Sequence, residues 1–266
     1  MIDVVILTKN SEKTLEHCLL SISKSVPVNK LIAIDGYSTD ETVEILKRYN
    51  ATIIQTYGTR GVARQIGINM VTTDWFAFVD SDVVLCDNWF EKMKAFMSPE
   101  VGAVFGLDLP SPLSGLKLRF MQVSSARVFK IRGGCHDILI QKKAISGIKI
   151  PEKLHTLEDA FIKEWIEKFW RIIVNYKAYC YHFKERSSFL SKDSVVSTVK
   201  EFGQLRLVKD RLLFGLIFAI VSILDNIGVA KRIEKSICII AEYGIQKQLV
   251  HFGQVFSFQI MRRMSM

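Results

Sequence analysis

Residues 1–111 predict an α/β fold with a doubly wound, mostly parallel sheet. Two observations carry this: short unbroken apolar runs, as strands buried on both faces require, and apolar residues at helical spacing between them. A third is size, because 266 residues that are 49% hydrophobic, with 17 Phe, suffice for one large domain plus an appendage. With 24% charged residues, 15 Gly and 5 Pro, disordered and fibrous classes are excluded.

The elements follow in order. Val4-Val5-Ile6-Leu7 is the first strand, and Leu15, Cys18, Leu19 and Ile22 form the apolar stripe of a helix over 11–22. Leu31-Ile32-Ala33-Ile34 is the second strand, followed by a helix over 42–49. Thr52-Ile53-Ile54 is the third, followed by a helix over 62–70, and Trp75-Phe76-Ala77-Phe78-Val79 is the fourth. In such sheets ligands bind where the C-terminal strand ends meet their loops. Those loops read Thr8-Lys9-Asn10 after the first strand, Asp35 to Thr42 after the second, and Asp80-Ser81-Asp82 after the fourth.

The first loop, TKNSEK, lacks the glycines that let a backbone approach a dinucleotide's pyrophosphate, and no GxxxxGK[ST] phosphate loop occurs. Asp80 and Asp82 are alternate residues of an extended turn, which can hold a hard divalent cation against a diphosphate. Two aspartates there could also simply cap the next helix. A second acidic strand end, Asp35, favours the cation.

Together LTKN, IDGYSTDETVEIL, GTRGVARQIGIN and FAFVDSD resemble a family 2 glycosyltransferase of the GT-A fold, in order and spacing, over residues 2–185. The first loop lacks that family's usual proline and tyrosine, and Gln65 stands where asparagine is usual. The resemblance implies a nucleotide-sugar site built from Thr8, Asn10, Asp35, Arg60, Arg64, Asp80 and Ser81, with Mg²⁺ or Mn²⁺ on Asp80 and Asp82. It assigns Arg64 to a phosphate or carboxylate partner, for which a guanidinium is suited.

Further motifs lie in the second half. Arg132-Gly133-Gly134-Cys135-His136-Asp137 precedes the strand Ile138-Leu139-Ile140 and is similar to the family's glycine-rich loop, with Cys135-His136-Asp137 replacing its asparagine region. Glycines there let a backbone approach a sugar closely. Glu158-Asp159 opens a helix carrying Ile162, Trp165, Ile166 and Phe169 on one face, and matches the family's acidic pair. The resemblance makes Asp159 the base for an inverting transfer, in which one carboxylate takes the acceptor hydroxyl's proton. Such a pair could alternatively serve only the helix dipole. His182, ending a strand over 172–181, matches a family histidine that reaches the metal or diphosphate.

Charge divides the chain: 10 Lys/Arg against 14 Asp/Glu before residue 112, and 26 against 13 from there on. A basic half points to polyanions or an anionic membrane. Residues 191–266 read as basic amphipathic helices, and the stretch over 201–206 is similar to an aromatic-glycine-arginine segment of the family, which implies Gln204 and Arg206 as candidates for acceptor phosphate. Residues 212–224 are thirteen without a charge, against about twenty needed to span, so a surface helix is expected rather than a crossing one. Nucleic acid is not expected, since the tail lacks stacking platforms. The five cysteines form no CxxC and read as reduced. The chain opens directly on a strand, which predicts no leader.

These readings predict a GT-A domain over 1–190, with a nucleotide-sugar half at 1–111 and an acceptor half at 112–190, and a membrane-associated helical appendage over 191–266. The expected function is inverting transfer from a UDP- or GDP-sugar to a lipid-linked acceptor, such as a polyprenyl or dolichyl phosphate or a lipid-linked glycan. It is expected at the cytoplasmic membrane face, held peripherally or monotopically. The rival is a sugar-nucleotide-binding or membrane scaffold protein with the same fold and no turnover.

Overall fold

Alternate residues of the first strand face opposite cores, and this organises the domain. In β1 (Ile2–Thr8), Val4 and Ile6 pack on one side of the sheet with Leu15, Cys18, Leu19 and Ile22 of α1 (Glu12–Ser25). Val5 packs on the other side with Ala63 and Ile68 of α3 (Arg60–Met70). A strand buried on both faces must be apolar throughout, which is why the unbroken runs are diagnostic.

The computed structural model describes residues 1–109, 112, 115, 117–119, 121–122, 134–154 and 158–182. Met1–Pro112 and Arg132–Glu185 form one compact unit, the first of two into which the chain divides. The sheet and its site lie in the first unit. The tail over 191–266, with Gln204 and Arg206, lies outside the described residues, as does Gly133. Among the described residues, no helix is long and apolar enough to cross a membrane.

The remaining elements are β2 (Val28–Asp35), α2 (Thr42–Arg48), β3 (Thr52–Gln55), β4 (Trp75–Asp80), β5 (Val83–Leu85), α4 (Trp89–Lys94), β6 (Val101–Leu109), β7 (Asp137–Gln141), α5 (Glu158–Glu167) and β8 (Arg171–His182). Eight strands form one sheet in the order β3-β2-β1-β4-β7-β6-β8-β5. The first four are parallel, as expected. Beyond them β7 runs antiparallel to both β4 and β6, β8 parallel to β6, and β5 antiparallel to β8.

Three elements escape the periodicity reading: β5, α4 and β6. β5 is three residues long. β6, VGAVFGLDL, carries two glycines and an aspartate, residue types depleted in strands. Gly106 has a steric reason to be there. A Cβ at that position would lie 1.8 Å from Oδ2 of Asp137 on the adjacent strand.

Candidate active site

Register gathers the chemistry. Thr8 pairs with Asp35 across β1 and β2, and Leu7 pairs with Asp80 across β1 and β4, so the strand-end groups share one edge of the sheet.

Asp35 is fully buried. Its Oδ1 accepts from the hydroxyls of Thr8 at 3.0 Å and Ser38 at 2.5 Å, and its Oδ2 from Ser38 N at 2.9 Å and Gln55 Nε2 at 3.1 Å. Burial alone would push this carboxyl up, but these hydrogen bonds hold it below the usual carboxylate range. Four donors fill the acceptor capacity of one carboxylate. A nucleotide hydrogen bond to Asp35 therefore requires one of them, such as the exposed Gln55, to move aside.

The rest of the DGYSTDET motif clasps the first loop. Asn10, in the left-handed region at φ 49, donates its backbone N–H to the Ser38 hydroxyl at 2.8 Å and accepts from Thr39 N at 2.9 Å. Asp40 accepts from Glu12 N at 3.1 Å and Thr42 N at 3.0 Å, while the Thr42 hydroxyl accepts from Ser11 N at 2.7 Å. Tyr37, also left-handed at φ 56, stacks on Tyr57 with ring centroids 3.8 Å apart, and both rings are exposed beside Asp35.

Asp80 ends β4. Arg64, 3% exposed on α3, donates its Nη2 to Asp80 Oδ1 at 2.7 Å and stacks over Phe78 at 4.6 Å. Of the two partners that suit a guanidinium, it thus takes the carboxylate in this structure. Burial disfavours both charges, yet each holds the other ionised: Arg64 is raised further, and Asp80 sits well below the carboxylate range. Among the described residues, Nε and Nη1 of Arg64 have no hydrogen-bond partner.

On the other oxygen of Asp80 lies His136, whose Nδ1 is 3.6 Å from Oδ2. Burial opposes its charge, but Asp80, Asp108 and Asp137 raise its pKa to about 9. His182, at the end of β8, binds Asp108 through Nδ1 and turns Nε2 toward Asp82 Oδ1 at 3.7 Å. Asp137 is buried beneath, where burial first and then the neighbouring Asp108 and Asp80 push its carboxyl up to about 8. Trp89 Nε1 donates to it at 3.4 Å.

Asp80, His136 and His182 each offer a ligand atom within 4.8 Å of the others, with Asp82 beside His182. Carboxylates and imidazoles in one cluster fit a divalent cation. Of the expected metal residues, Asp80 and His182 are brought together and His136 joins them, while Asp82 stands next to His182 outside the three-residue group. Ser81 turns away into support: its hydroxyl pairs with that of Ser11 at 3.0 Å and its carbonyl accepts from Thr14 at 2.9 Å.

Glu158 and Asp159 open α5. Glu158 is buried, which pushes its carboxyl up against the opposing pull of Arg64. Asp159 is half-buried, and both acids act electrostatically on Cys135, the neighbour of His136. Arg60 is exposed at the start of α3 and within electrostatic reach of Glu158. Gln65, the departure from the family pattern, is structural, since its Oε1 accepts from Ile150 N at 2.9 Å. Cys18, Cys86, Cys135 and Cys180 are free and buried, and burial pushes the Cys135 thiol up to about 12.

Sequence reasoning gave no role to Asp108, Asp137, Trp89 or Tyr57. One signal was available. An aspartate inside an otherwise apolar strand, as in VFGLDL and DILI, is a charge type that is rarely buried without a partner.

The fold is that of GT-A glycosyltransferases, and residues 3–117 match the model described as glycosyl transferase family 2. Among curated relatives, 4,4'-diaponeurosporenoate glycosyltransferase of Staphylococcus aureus is 36% identical over 89 residues, covering 30% of this chain and 23% of the relative. The match thus spans about a quarter of that relative's length. Three solved structures share the fold. S. aureus TarS 1-349 in complex with UDP superposes with TM-score 0.55 at 22% identity, over 68% of this chain and 60% of that one. The mannosyltransferase PcManGT from Pyrobaculum calidifontis, in complex with GDP-Man and Mn²⁺, gives 0.56 at 16%, over 70% and 57%. Glucosyl-3-phosphoglycerate synthase from Mycobacterium tuberculosis, in complex with Mn²⁺, UDP and glucosyl-3-phosphoglycerate, gives 0.52 at 16%, over 76% and 80%.

Proposed function

We propose that this protein is an inverting glycosyltransferase that moves a sugar from a UDP- or GDP-sugar to a lipid-linked acceptor at the cytoplasmic face of a membrane. The observation that carries the reading is the cluster of Asp80, His136 and His182, with Asp82 beside His182, on the same sheet edge as Asp35. The UDP, GDP-Man and Mn²⁺ complexes of the structural neighbours support the choice of donor and ion.

The chain's own residues divide the work. Thr8, Asn10, Asp35 and Ser38 form a rigid loop pair at the nucleoside end, with the outer face of the Tyr37–Tyr57 stack open for a planar base. Asp80, Asp82 and His182 would hold Mg²⁺ or Mn²⁺, which when bound neutralises the diphosphate. Arg64 keeps Asp80 ionised and aimed. Gly134 lets the backbone come close to the sugar. Asp159 takes the proton of the attacking hydroxyl, with Glu158 behind it; one base suffices, because inversion needs no covalent intermediate. The basic half of the sequence and its amphipathic tail support an anionic lipid acceptor and surface attachment.

The test is transfer by the full chain across a panel of UDP- and GDP-sugars with Mn²⁺ or Mg²⁺ and a membrane lipid extract. Flotation with anionic against zwitterionic vesicles reads the attachment. Donor binding with no turnover on any acceptor supports the scaffold alternative instead. No binding of any nucleotide sugar removes both.

A further inference from the structure

We propose that His136 is itself a ligand of the divalent cation, forming with Asp80 and His182 a one-carboxylate, two-imidazole set, with Asp82 beside His182, that selects Mn²⁺, Co²⁺ or Zn²⁺ over Mg²⁺. This rests on the donor-site reading above.

Distances come first. His136 Nδ1 lies 3.6 Å from Asp80 Oδ2, and His182 Nε2 lies 3.7 Å from Asp82 Oδ1. Both gaps are too long for hydrogen bonds. Two ligands of one ion, each about 2.1 Å from it, stand roughly 3.0–4.2 Å apart depending on the angle between them. Both pairs fall in that window, and the ligand atoms of Asp80, His136 and His182 all lie within 4.8 Å of one another.

The ring of His136 is also held in place. A Cβ at Gly134 would lie 2.2 Å from His136 Cε1 and 2.3 Å from its Nε2, so the backbone two residues earlier packs directly on the imidazole. No larger residue leaves the ring where it is. Behind the two histidines stands one carboxylate. Asp108 pairs with Nδ1 of His182 through Oδ1, and its Oδ2 is 4.0 Å from Nε2 of His136. An acid behind an imidazole orients the opposite nitrogen toward a metal. Here that leaves His182 Nε2 and His136 Nδ1 on the side of Asp80 and Asp82. Arg64 completes the arrangement by occupying Asp80 Oδ1, which leaves Oδ2 for the cation.

The donor set decides the ion. Imidazole nitrogens suit first-row transition ions, whereas Mg²⁺ takes oxygen ligands and keeps its water. Two imidazoles therefore favour Mn²⁺, Co²⁺ or Zn²⁺.

The experiment is metal binding by the metal-depleted full chain without any nucleotide sugar. Electron spin-echo spectroscopy on the Mn²⁺ form counts coupled ¹⁴N ligands, and titration gives Mn²⁺ and Mg²⁺ affinities. The expected result is two imidazole nitrogens and tighter Mn²⁺ than Mg²⁺ binding. His136→Gln removes one coupling and weakens Mn²⁺ at least about tenfold, with a smaller effect on Mg²⁺. Gly134→Ala, which displaces the ring without altering any ligand, weakens Mn²⁺ in the same direction. A single coupled nitrogen in the unmodified chain overturns the proposal, as does a folded His136→Gln that keeps its Mn²⁺ affinity and spectrum. If a substituted chain fails to fold, the unmodified chain's nitrogen count alone decides. Sugar transfer is a separate assay: two coupled nitrogens without any transfer would sink the function reading alone, and transfer with one nitrogen would sink this one alone.

Discussion

Asp80 and Asp82 belong to one short motif, yet their removal should have unlike consequences for stability. The Asp80 side chain is 28% exposed and accepts a hydrogen bond from Nη2 of Arg64, whose side chain is 4% exposed. Nε and Nη1 of that guanidinium already lack partners among the described residues. Asp80→Ala would leave a charged group buried without this bond. Breaking a buried pair from one side costs about 3–5 kcal/mol. For a domain of this size that lowers Tm by roughly 6–20 °C. Asp82, by contrast, has a side chain 43% exposed, with His182 3.7 Å away. Asp82→Ala should stay within about 0.5 kcal/mol of the unmodified chain. Both should abolish metal-dependent turnover. Urea denaturation of the two variants in metal-free buffer measures the contrast. Equal stability loss in both, or a loss under about 1 kcal/mol for Asp80→Ala, would refute the claim that Arg64 depends on Asp80.

Other perturbations test the surrounding structure. Gly106→Ala places a Cβ 1.8 Å from Asp137 Oδ2 and should cost about 1–3 kcal/mol in denaturation, with much of the loss recovered by adding Asp137→Ala. Asp3 is buried and accepts from Thr72 N, Thr72 Oγ1, Thr73 N and Asn29 Nδ2, which hold its carboxyl below the usual range although burial would raise it. A lowered native pKa stabilises the fold above the unfolded value of about 3.9, and that contribution is lost as pH falls through the native one. Asp3→Asn should therefore be less stable at pH 7, with the gap starting to narrow only as pH falls below about 3.9 and closing once pH passes the lower native value, as urea midpoints across that range would show. Asp159→Asn should lower transfer by about 10²–10⁴-fold while calorimetry finds donor binding unchanged. Tyr57→Ala should weaken UDP or GDP binding about fivefold or more, the loss of one stacking face, with turnover at saturating donor preserved.

Much of the domain was legible because parallel strands buried on both faces are written as unbroken apolar runs. β1 to β4 and their helices stand where Val4, Leu31, Thr52 and Trp75 begin those runs. The glycine-bearing β6 and three-residue β5 carry no such signature, and their places in the sheet come from pairing with β7 and β8. Polar motif residues divided similarly. Residue type and spacing singled out Asp80 and Asp82 and the family resemblance added Asp159 and His182, whereas Ser38, Asp40 and Thr42 are loop clasps and Gln65 is a tether for Ile150.

By itself, then, the sequence determined the sheet's parallel half, the acidic strand ends and the family they resemble, because local periodicity and turn chemistry are properties of neighbouring residues. Only the tertiary structure decided that Arg64 is spent on Asp80, that Asp108 backs two histidines, and that His136 faces the cluster. Arg64 is 16 residues from Asp80 and Asp108 is 74 from His182 in the chain. The first contact arises where α3 packs on the sheet face that carries Phe78, the second where the register of β6 with β8 sets Asp108 beside Cys180, and both depend on packing across the whole sheet.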